Sequence, residues 1–171
     1  MKNIKKLFMV LFLVICTFGW SSTICLSVVQ PSDSPEISKE TTRDIESVIL
    51  TAFYDLDEIV TNSGVLYDKK YFKDDKYFIE KGIEGQEDYV LVLYVDYDSV
   101  PERIPEGKTY AKIKKISYKV ISVKNQETLS SKSVEGKKFT KKLDDPSKAG
   151  TLMAEYIARE AYKVILKDKG Y

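Results

Sequence analysis

Hydrophobic positions recur with helical spacing in two stretches of the chain. In the first, Thr41 stands as an N-cap with Asp44 three residues later, and Asn62-Ser63-Gly64 supplies a stop signal. Between these signals the apolar side chains lie three and four residues apart, at Ile45, Val48, Ile49, Ala52, Phe53, Leu56, Ile59 and Val60. The pattern predicts one amphipathic helix that packs on the core through this stripe.

The second helical stretch closes the chain. Asp144 or Asp145 is placed to cap it, and Pro146 suits the first helical turn. Its apolar stripe consists of Ala149, Leu152, Met153, Tyr156, Ile157, Ala161, Val164 and Ile165. Lys167 and Lys169 follow near the C-terminal end, where cations interact favourably with the helix dipole. These signals predict a terminal amphipathic helix.

The region between the helices has the pattern of strands. Tyr89 to Val95 is apolar at successive positions, which is typical of a strand buried on both faces. In "YAKIKKISYKVISV" the alternation slips by one position at Lys114-Lys115, and a β-bulge there would restore the faces. After a turn at Lys124, "TLSSKSVEG" predicts a polar edge strand. For residues 65 to 87, a short helix over 74–81 and a hairpin arm both stay open.

The N-terminus has the order of a secretory signal peptide. "MKNIKK" is basic, Leu7 to Trp20 is apolar, and the small polar stretch "SSTICLS" follows. We predict a signal peptide over residues 1–27, with Val28 as the mature start. An uncleaved anchor is the alternative if the apolar run extends to Val29, and Cys25 is a second alternative as the lipid-modified first residue of a lipoprotein. Both cysteines lie in this leader, so a cut after Ser27 leaves a body without thiols.

Proline and serine then mark a predicted linker. Residues 28–40, "VVQPSDSPEISKE", contain Pro31, Pro35 and three serines with little that packs. The remaining residues, 41–171, fit one domain. Their pattern predicts an α+β fold: a mixed or antiparallel sheet of about three to five strands, with two amphipathic helices on one face.

Composition excludes several kinds of chemistry. The 171 residues include no histidine, so triads with a histidine base and imidazole metal sites are excluded. Asp96 and Asp98 end the buried strand on one face, where they could form a cation rim, but the calcium-loop pattern fails at Pro101. The sequence predicts neither a cofactor nor a metal site beyond this rim.

Charge is segregated along the chain. Residues 33 to 106 hold 19 acidic and 8 basic side chains, whereas residues 108 to 142 hold 11 lysines and two glutamates. Four lysines lie on or beside the predicted bulge: Lys112, Lys114, Lys115 and Lys119. We predict them as a partner surface for anionic lipid, a wall polymer or an acidic envelope protein. Nucleic acid is not expected for an exported chain without an RNA-binding signature.

Three segments together resemble a known family. "EDYVLVLYVDY", "ISYKVISVKNQETLSSKSVEG" and "AGTLMAEYIAREAYKVIL" are similar to a strand, a hairpin and a terminal helix of the bacterial envelope α/β domain. That domain is shared by the CsgG-like curli-secretion lipoproteins, the TolB N-terminal domain and the LpoB-type activators. The resemblance implies a binding or assembly domain of the envelope and no catalytic residue.

Two function classes follow from these observations. The first is a noncatalytic exported protein, periplasmic, envelope-associated or secreted, that binds a protein, lipid or cell-wall partner and can reach the membrane through its N-terminus. The alternative is a carboxylate-dependent hydrolase or cation-binding enzyme that works through Asp74, Asp75, Asp96 and Asp98. The missing histidines and the absence of a glycine-rich phosphate loop favour the first class.

Overall fold

The computed structural model describes residues 21–103, 107–140, 143 and 145–171. The strands are β1 (Thr23–Val29), β2 (Ile59–Leu66), β3 (Tyr89–Tyr97), β4 (Glu102–Arg103), β5 (Thr109–Tyr110), β6 (Ile113–Ser122) and β7 (Glu127–Glu135). The α-helices are α1 (Ser38–Tyr54), α2 (Asp75–Gly85), α3 (Lys137–Thr140) and α4 (Ala149–Asp168), with 3-10 turns at Tyr71–Lys73 and Pro146–Lys148.

Five strands form one mixed sheet. Their order is β2-β1-β3-β6-β7, with β1 parallel to both β2 and β3, and with β6 antiparallel to β3 and β7. The strand β3 lies at the centre, and Val90 to Val95 are all buried there, as expected for a strand with a helix layer on each side. The predicted α+β class and the central position of Tyr89 to Val95 are confirmed.

The two faces of the sheet are covered unequally. The helices α1 and α4 pack on one face and enclose the larger core, with Ile45, Ile49 and Ile157 fully buried. On the other face, α2 covers a smaller cluster around Phe78 and Val92. The fold therefore has more helices than the two predicted, because residues 75–85 add a helix on the second face.

The helix α2 contains two glycines, Gly82 and Gly85. A Cβ atom at Gly82 would lie 2.4 Å from Cγ2 of Val123 and 3.0 Å from Cγ2 of Val90. The missing side chain therefore lets the helix approach the sheet closely. Asp74 caps the helix by accepting a 3.0 Å hydrogen bond from the backbone N–H of Tyr77.

The predicted domain start at residue 41 is wrong. Thr23–Val29 forms β1 between two parallel partners, so a cut after Ser27 would remove most of an inner strand. The predicted linker, residues 28–40, is equally part of the fold, because its ends belong to β1 and α1. Residues 1–20 of the predicted signal peptide lie outside the described residues. None of the helices that the structure describes has the length and apolar composition needed to cross a bilayer.

A buried hydrogen-bond network fixes the connection from β1 to α1. The Gln30 side chain donates to Ser38 Oγ at 2.6 Å and accepts from Thr42 Oγ1 at 2.8 Å. The hydroxyl groups of Thr42 and Tyr97 also lie 2.8 Å apart, which joins the network to the end of β3. Satisfied buried polar groups specify one geometry, so this connection is a packed loop and not a flexible linker.

The first helix is displaced from its predicted bounds. It begins at Ser38, three residues before the predicted cap, and it ends at Tyr54. Asp57 then adopts a positive φ of 61°, and the chain turns into β2. Ile59 and Val60, which continue the helical spacing in the sequence, therefore belong to a strand.

The predicted bulge and hairpin are confirmed. Asp96 pairs with Lys115 and Tyr97 with Ile113, so Lys114 is the extra residue that the phase slip indicates. The chain turns over residues 123–126, and β7 returns as an edge strand of the sheet. Asp145 caps the 3-10 turn Pro146–Lys148 by accepting from the backbone N–H of Ser147 at 3.0 Å, whereas the terminal helix that follows begins at Ala149 without a side-chain cap.

Candidate functional site

The predicted lysine surface does not exist as one surface. The side chain of Lys119 is only 13% exposed, and its Nζ lies 2.5 Å from Oδ1 of Asp75 in α2. The same ammonium lies 4.9 Å from the centroid of the Phe72 ring. Lys119 is thus an interior link between the sheet and α2, which corrects its assignment as a partner contact.

The other three lysines differ among themselves. Lys112 is paired with Glu102 at 2.5 Å and with Asp98 at 3.8 Å. Lys115 is half-buried and lies in register with Asp96 on one side and Glu135 on the other. Lys114, the bulged residue, is the exposed member of the set. The bulge therefore presents Lys114 to solvent, while acidic side chains lie beside its neighbours.

The aspartates of the predicted cation rim lie next to lysines. Asp98 is within 3.8 Å of Lys112, and Asp96 lies opposite Lys115 in the β3–β6 ladder. Asp74 and Asp75, the other carboxylates of the hydrolase alternative, cap α2 and bind Lys119. Across residues 21–103, 107–140, 143 and 145–171, no three His, Cys, Asp or Glu side chains form a group that could hold a metal ion.

Cys25 lies inside the fold. It belongs to β1, is 8% exposed, and burial raises the pKa of its thiol. Lipidation at Cys25 would remove Thr23 and the fully buried Ile24, and it would place a lipid on a thiol that faces the core. The structure therefore contradicts the lipoprotein alternative at this residue, and the folded body keeps one free thiol.

A cleft of about 650 Å³ lies at the carboxyl ends of the parallel strands, where doubly wound sheets bind ligands. It is lined by Pro31, Ser32, Asp33, Tyr67, Asp68, Lys69, Tyr94 and Asp96. Asp68 of this lining pairs with Lys70 outside it at 3.0 Å, and Lys69 Nζ lies 5.6 Å from the ring centroid of Tyr94.

Side chains of the edge strand β7 make polar contacts with both helix layers and with β6. Thr128 Oγ1 donates to Asp75 at 2.7 Å, and the Ser133 and Ser117 hydroxyl groups lie 2.9 Å apart. Lys132 also pairs with Glu160 of α4 at 3.6 Å. Helices on both faces thus contact β7, and charged side chains on an edge strand discourage pairing with another chain.

The opposite edge strand, β2, has a different character. Its sequence, "IVTNSGVL", contains no charged residue. Ile59 is 55% exposed, and Tyr54 at the end of α1 is 76% exposed. Leu50, Thr51, Tyr54 and Val60 line an open groove of about 410 Å³ beside the strand. Among the described residues no strand lies beyond β2, so this edge combines open backbone groups with apolar side chains.

Hydrogen bonds to buried or half-buried acids hold β2 in place. Asn62 donates to Glu46 in α1 at 3.1 Å, and Thr61 donates to Glu87 at 2.7 Å. Burial raises the pKa of the Glu46 carboxyl, against the opposing effects of the Asn62 hydrogen bond and the charge of Arg43. The strand is therefore fixed on its inner side while its outer side stays open.

Several solved structures are similar to this chain at low sequence identity. Protein XCC0632 from Xanthomonas campestris has a TM-score of 0.52 at 13% identity, with 89% of this chain and 90% of that chain covered. Lipoprotein GNA1162 from Neisseria meningitidis has a TM-score of 0.42 at 11% identity, with 82% and 96% covered. TolB from Acinetobacter baumannii has a TM-score of 0.41 at 10% identity, with 84% of this chain but 29% of TolB covered.

The likeness to XCC0632 concerns the fold alone. The relation to CsgG-like and LpoB-type proteins stays a prediction, and no curated protein matches the chain in sequence. A family model does match, and its first matched residue coincides with the first residue of β1. That agreement supports a domain that begins before Cys25. The model covers residues 23–166, and the chain belongs to its family, which is described as "Uncharacterised protein".

Proposed function

We propose that the protein is a noncatalytic exported assembly module that pairs with a second copy of itself along β2. The observation that carries this proposal is the charge-free open edge of β2, with Ile59 and Tyr54 exposed beside it. Export is supported by the basic, apolar and small order of the N-terminal residues.

The open backbone groups of β2 favour another β-strand as the binding partner. Alternate N–H and C=O groups of an edge strand point away from the sheet, and another strand satisfies them in register. A lipid headgroup or a wall polymer offers no such ladder. A second β2 is uncharged as well, so the paired strands themselves carry no like charges, and two five-stranded sheets would join across a twofold axis.

The test uses two variants, each of which adds one positive charge to one edge strand. Ile59→Lys places a lysine on β2, and Ser131→Lys is the matched control on β7, where residue 131 is also exposed. Light scattering coupled to size exclusion should show a dimer for the wild type and for Ser131→Lys, and a monomer for Ile59→Lys. Both variants should keep the wild-type circular dichroism spectrum, because single surface substitutions change the free energy of unfolding by only about 0.5 kcal/mol.

A monomeric wild-type protein throughout the micromolar to millimolar range would show that β2 does not pair with itself. Equal dimerisation of the two lysine variants would place the interface elsewhere.

Contact with anionic lipid or wall polymer is the second candidate, and the exposed lysine at the bulge favours it. Lys114→Gln should then reduce cosedimentation with anionic vesicles at low salt, while Lys132→Gln on β7 serves as a control of equal charge change. Wild-type binding that is unchanged between low salt and about 0.15 M would argue against this contact, because screening weakens exposed charge interactions beyond ~8 Å there.

A further inference from the structure

Ser22 is the point at which the chain enters the fold. It is 3% exposed, whereas Ser21 before it is exposed. The carbonyl of Ser22 accepts a 2.9 Å hydrogen bond from the backbone N–H of Ile59, which begins the β1–β2 ladder. The boundary between solvent and core therefore lies at the peptide bond between residues 21 and 22.

A buried carboxylate faces that bond. The backbone N–H of Ser22 donates to Oε2 of Glu58, a residue that is 6% exposed. The other carboxylate oxygen, Oε1, accepts from Lys169 Nζ at 2.9 Å. A full positive charge on the Ser22 nitrogen would form a stronger, charge-assisted contact with this carboxylate than a neutral amide does.

The sequence before Ser22 has the spacing that signal peptidases recognise. Gly19 and Ser21 are small residues at the third and first positions before the Ser21–Ser22 bond, and they follow the apolar run. Ser27, the position expected from sequence alone, is instead buried inside β1. Cleavage at the earlier bond leaves every residue of the sheet in place.

We propose that a signal peptidase hydrolyses the Ser21–Ser22 bond and that the new α-ammonium of Ser22 docks on Glu58. This inference rests on the export proposed above. Water adds across the amide, so the leader leaves with the carboxylate of Ser21, and the nitrogen of Ser22 gains protons to become an ammonium at neutral pH. Processing precedes folding, and the mature chain then closes its first strand with an ion pair.

The site of cleavage is tested with the full-length gene in an export-competent bacterium. N-terminal sequencing and intact mass should identify Ser22 as the first residue of the exported protein. Ser21→Leu should abolish that terminus, because a bulky residue directly before the bond blocks recognition, whereas Trp20→Leu, one position earlier, should leave it unchanged.

An exported protein with any other first residue would overturn the site and leave the proposed export intact. A full-length product that stays in the cytoplasm would overturn the export itself.

The docking is tested on the processed protein. Reductive methylation should label the Ser22 amine at least ten times more slowly than the exposed Lys114 amine, since the nitrogen is buried against Glu58. Glu58→Gln should raise the labelling rate of Ser22 several-fold, and Glu80→Gln, an exposed control, should not change it. A Ser22 labelling rate that is the same in the wild-type protein and in Glu58→Gln would overturn the docking.

Discussion

The two edges of the sheet are each tied to a helix through a carboxylate, yet the two ties differ in charge. On the β7 side of the sheet, Asp75 of α2 accepts from Lys119 of β6 at 2.5 Å and from Thr128 of β7 at 2.7 Å. At the β2 edge, Glu46 of α1 accepts from the neutral amide of Asn62 at 3.1 Å. The carboxylate on the β7 side thus has a charged donor beside a neutral one, whereas the carboxylate at β2 has a neutral donor.

The pKa values of the two acids follow this difference. Desolvation alone would raise the pKa of Asp75, but the hydrogen bonds from Lys119 and Thr128 outweigh it, and the pKa is lowered. For Glu46 desolvation dominates, and the pKa is raised. The carboxylate on the β7 side therefore has its counter-charge in Lys119 of β6, whereas β2 itself has no charged residue and an open outer side, which is the reason to place a partner there.

The largest effect is expected at the centre, which both edges depend on. Val92 is fully buried in β3, between β1 and β6. Val92→Asp would bury an unpaired carboxylate and should cost roughly 4 kcal/mol or more, enough to unfold many domains. Circular dichroism of the variant should show loss of the folded spectrum at 25 °C.

Val100→Asp is the matched control, because Val100 is an exposed valine after the same strand. If Val92→Asp melted at the wild-type temperature, β3 would not be the buried centre on which both edge strands depend.

The strand β3 was predictable because a strand buried on both faces is continuously apolar. The bulge was predictable for a related reason, since a slip at Lys114 is meaningful only where one face is buried. The turn before β7 and its edge position also follow from local polar signals. In each case the sequence pattern has the period of the element itself.

The parallel strands beside β3 were not predictable from the same patterns. β1 is apolar like residues 7–20 before it, so the sequence alone predicts "TICLSVV" as the end of a signal peptide. Ile59 and Val60 continue the helical spacing of α1 by coincidence. The chain turns between α1 and these residues at Asp57, which has a positive φ, and an aspartate is only a weak sequence signal for such a turn.

The site was less predictable than the fold. The alternation along β6 places the side chains of Lys119 and Val120 on different faces of the sheet, and it predicts that the face of Lys119 is exposed to solvent. It does not reveal that α2 covers that face, where Lys119 pairs with Asp75. The open edge at β2 depends on strand order, which no local pattern specifies. Tertiary neighbours, not residue type, decide which charges remain available to a partner.

An intermediate effect is expected when the β7 tie is cut. Asp75→Ala leaves the ammonium of Lys119, 13% exposed, without its carboxylate, and removes the acceptor of Thr128. We expect a loss of about 1–3 kcal/mol in the free energy of unfolding, measured by urea titration at pH 7. Glu80→Ala in the same helix is the control, because its 3.6 Å pair with Lys76 is exposed.

The Asp75 tie should depend on pH in a known direction. Because its folded pKa is lowered, its stabilisation is present above the unfolded pKa of about 3.9 and is lost as the pH falls through the folded value. The difference between wild type and Asp75→Ala should therefore shrink below pH 4. A difference that persists undiminished at low pH would mean that the charge of Asp75 is not what holds α2 on β6 and β7.

The smallest effect is expected at the β2 tie. Glu46→Gln keeps a carbonyl oxygen that can accept from Asn62 and removes a buried charge, so stability at pH 7 should stay equal or rise by less than about 1 kcal/mol.

Since the folded pKa of Glu46 is raised, its protonation favours the folded state, and that contribution is lost as the pH rises through the folded value. Thermal melts between pH 4 and pH 8 should thus show the wild type gaining on the variant toward acidic pH, with the largest relative gain below the unfolded pKa of about 4.3. A variant that is less stable than the wild type by the same amount at every pH would mean that the β2 edge, like the β7 edge, is held by charge, and the electrostatic contrast between the two edges would then be lost.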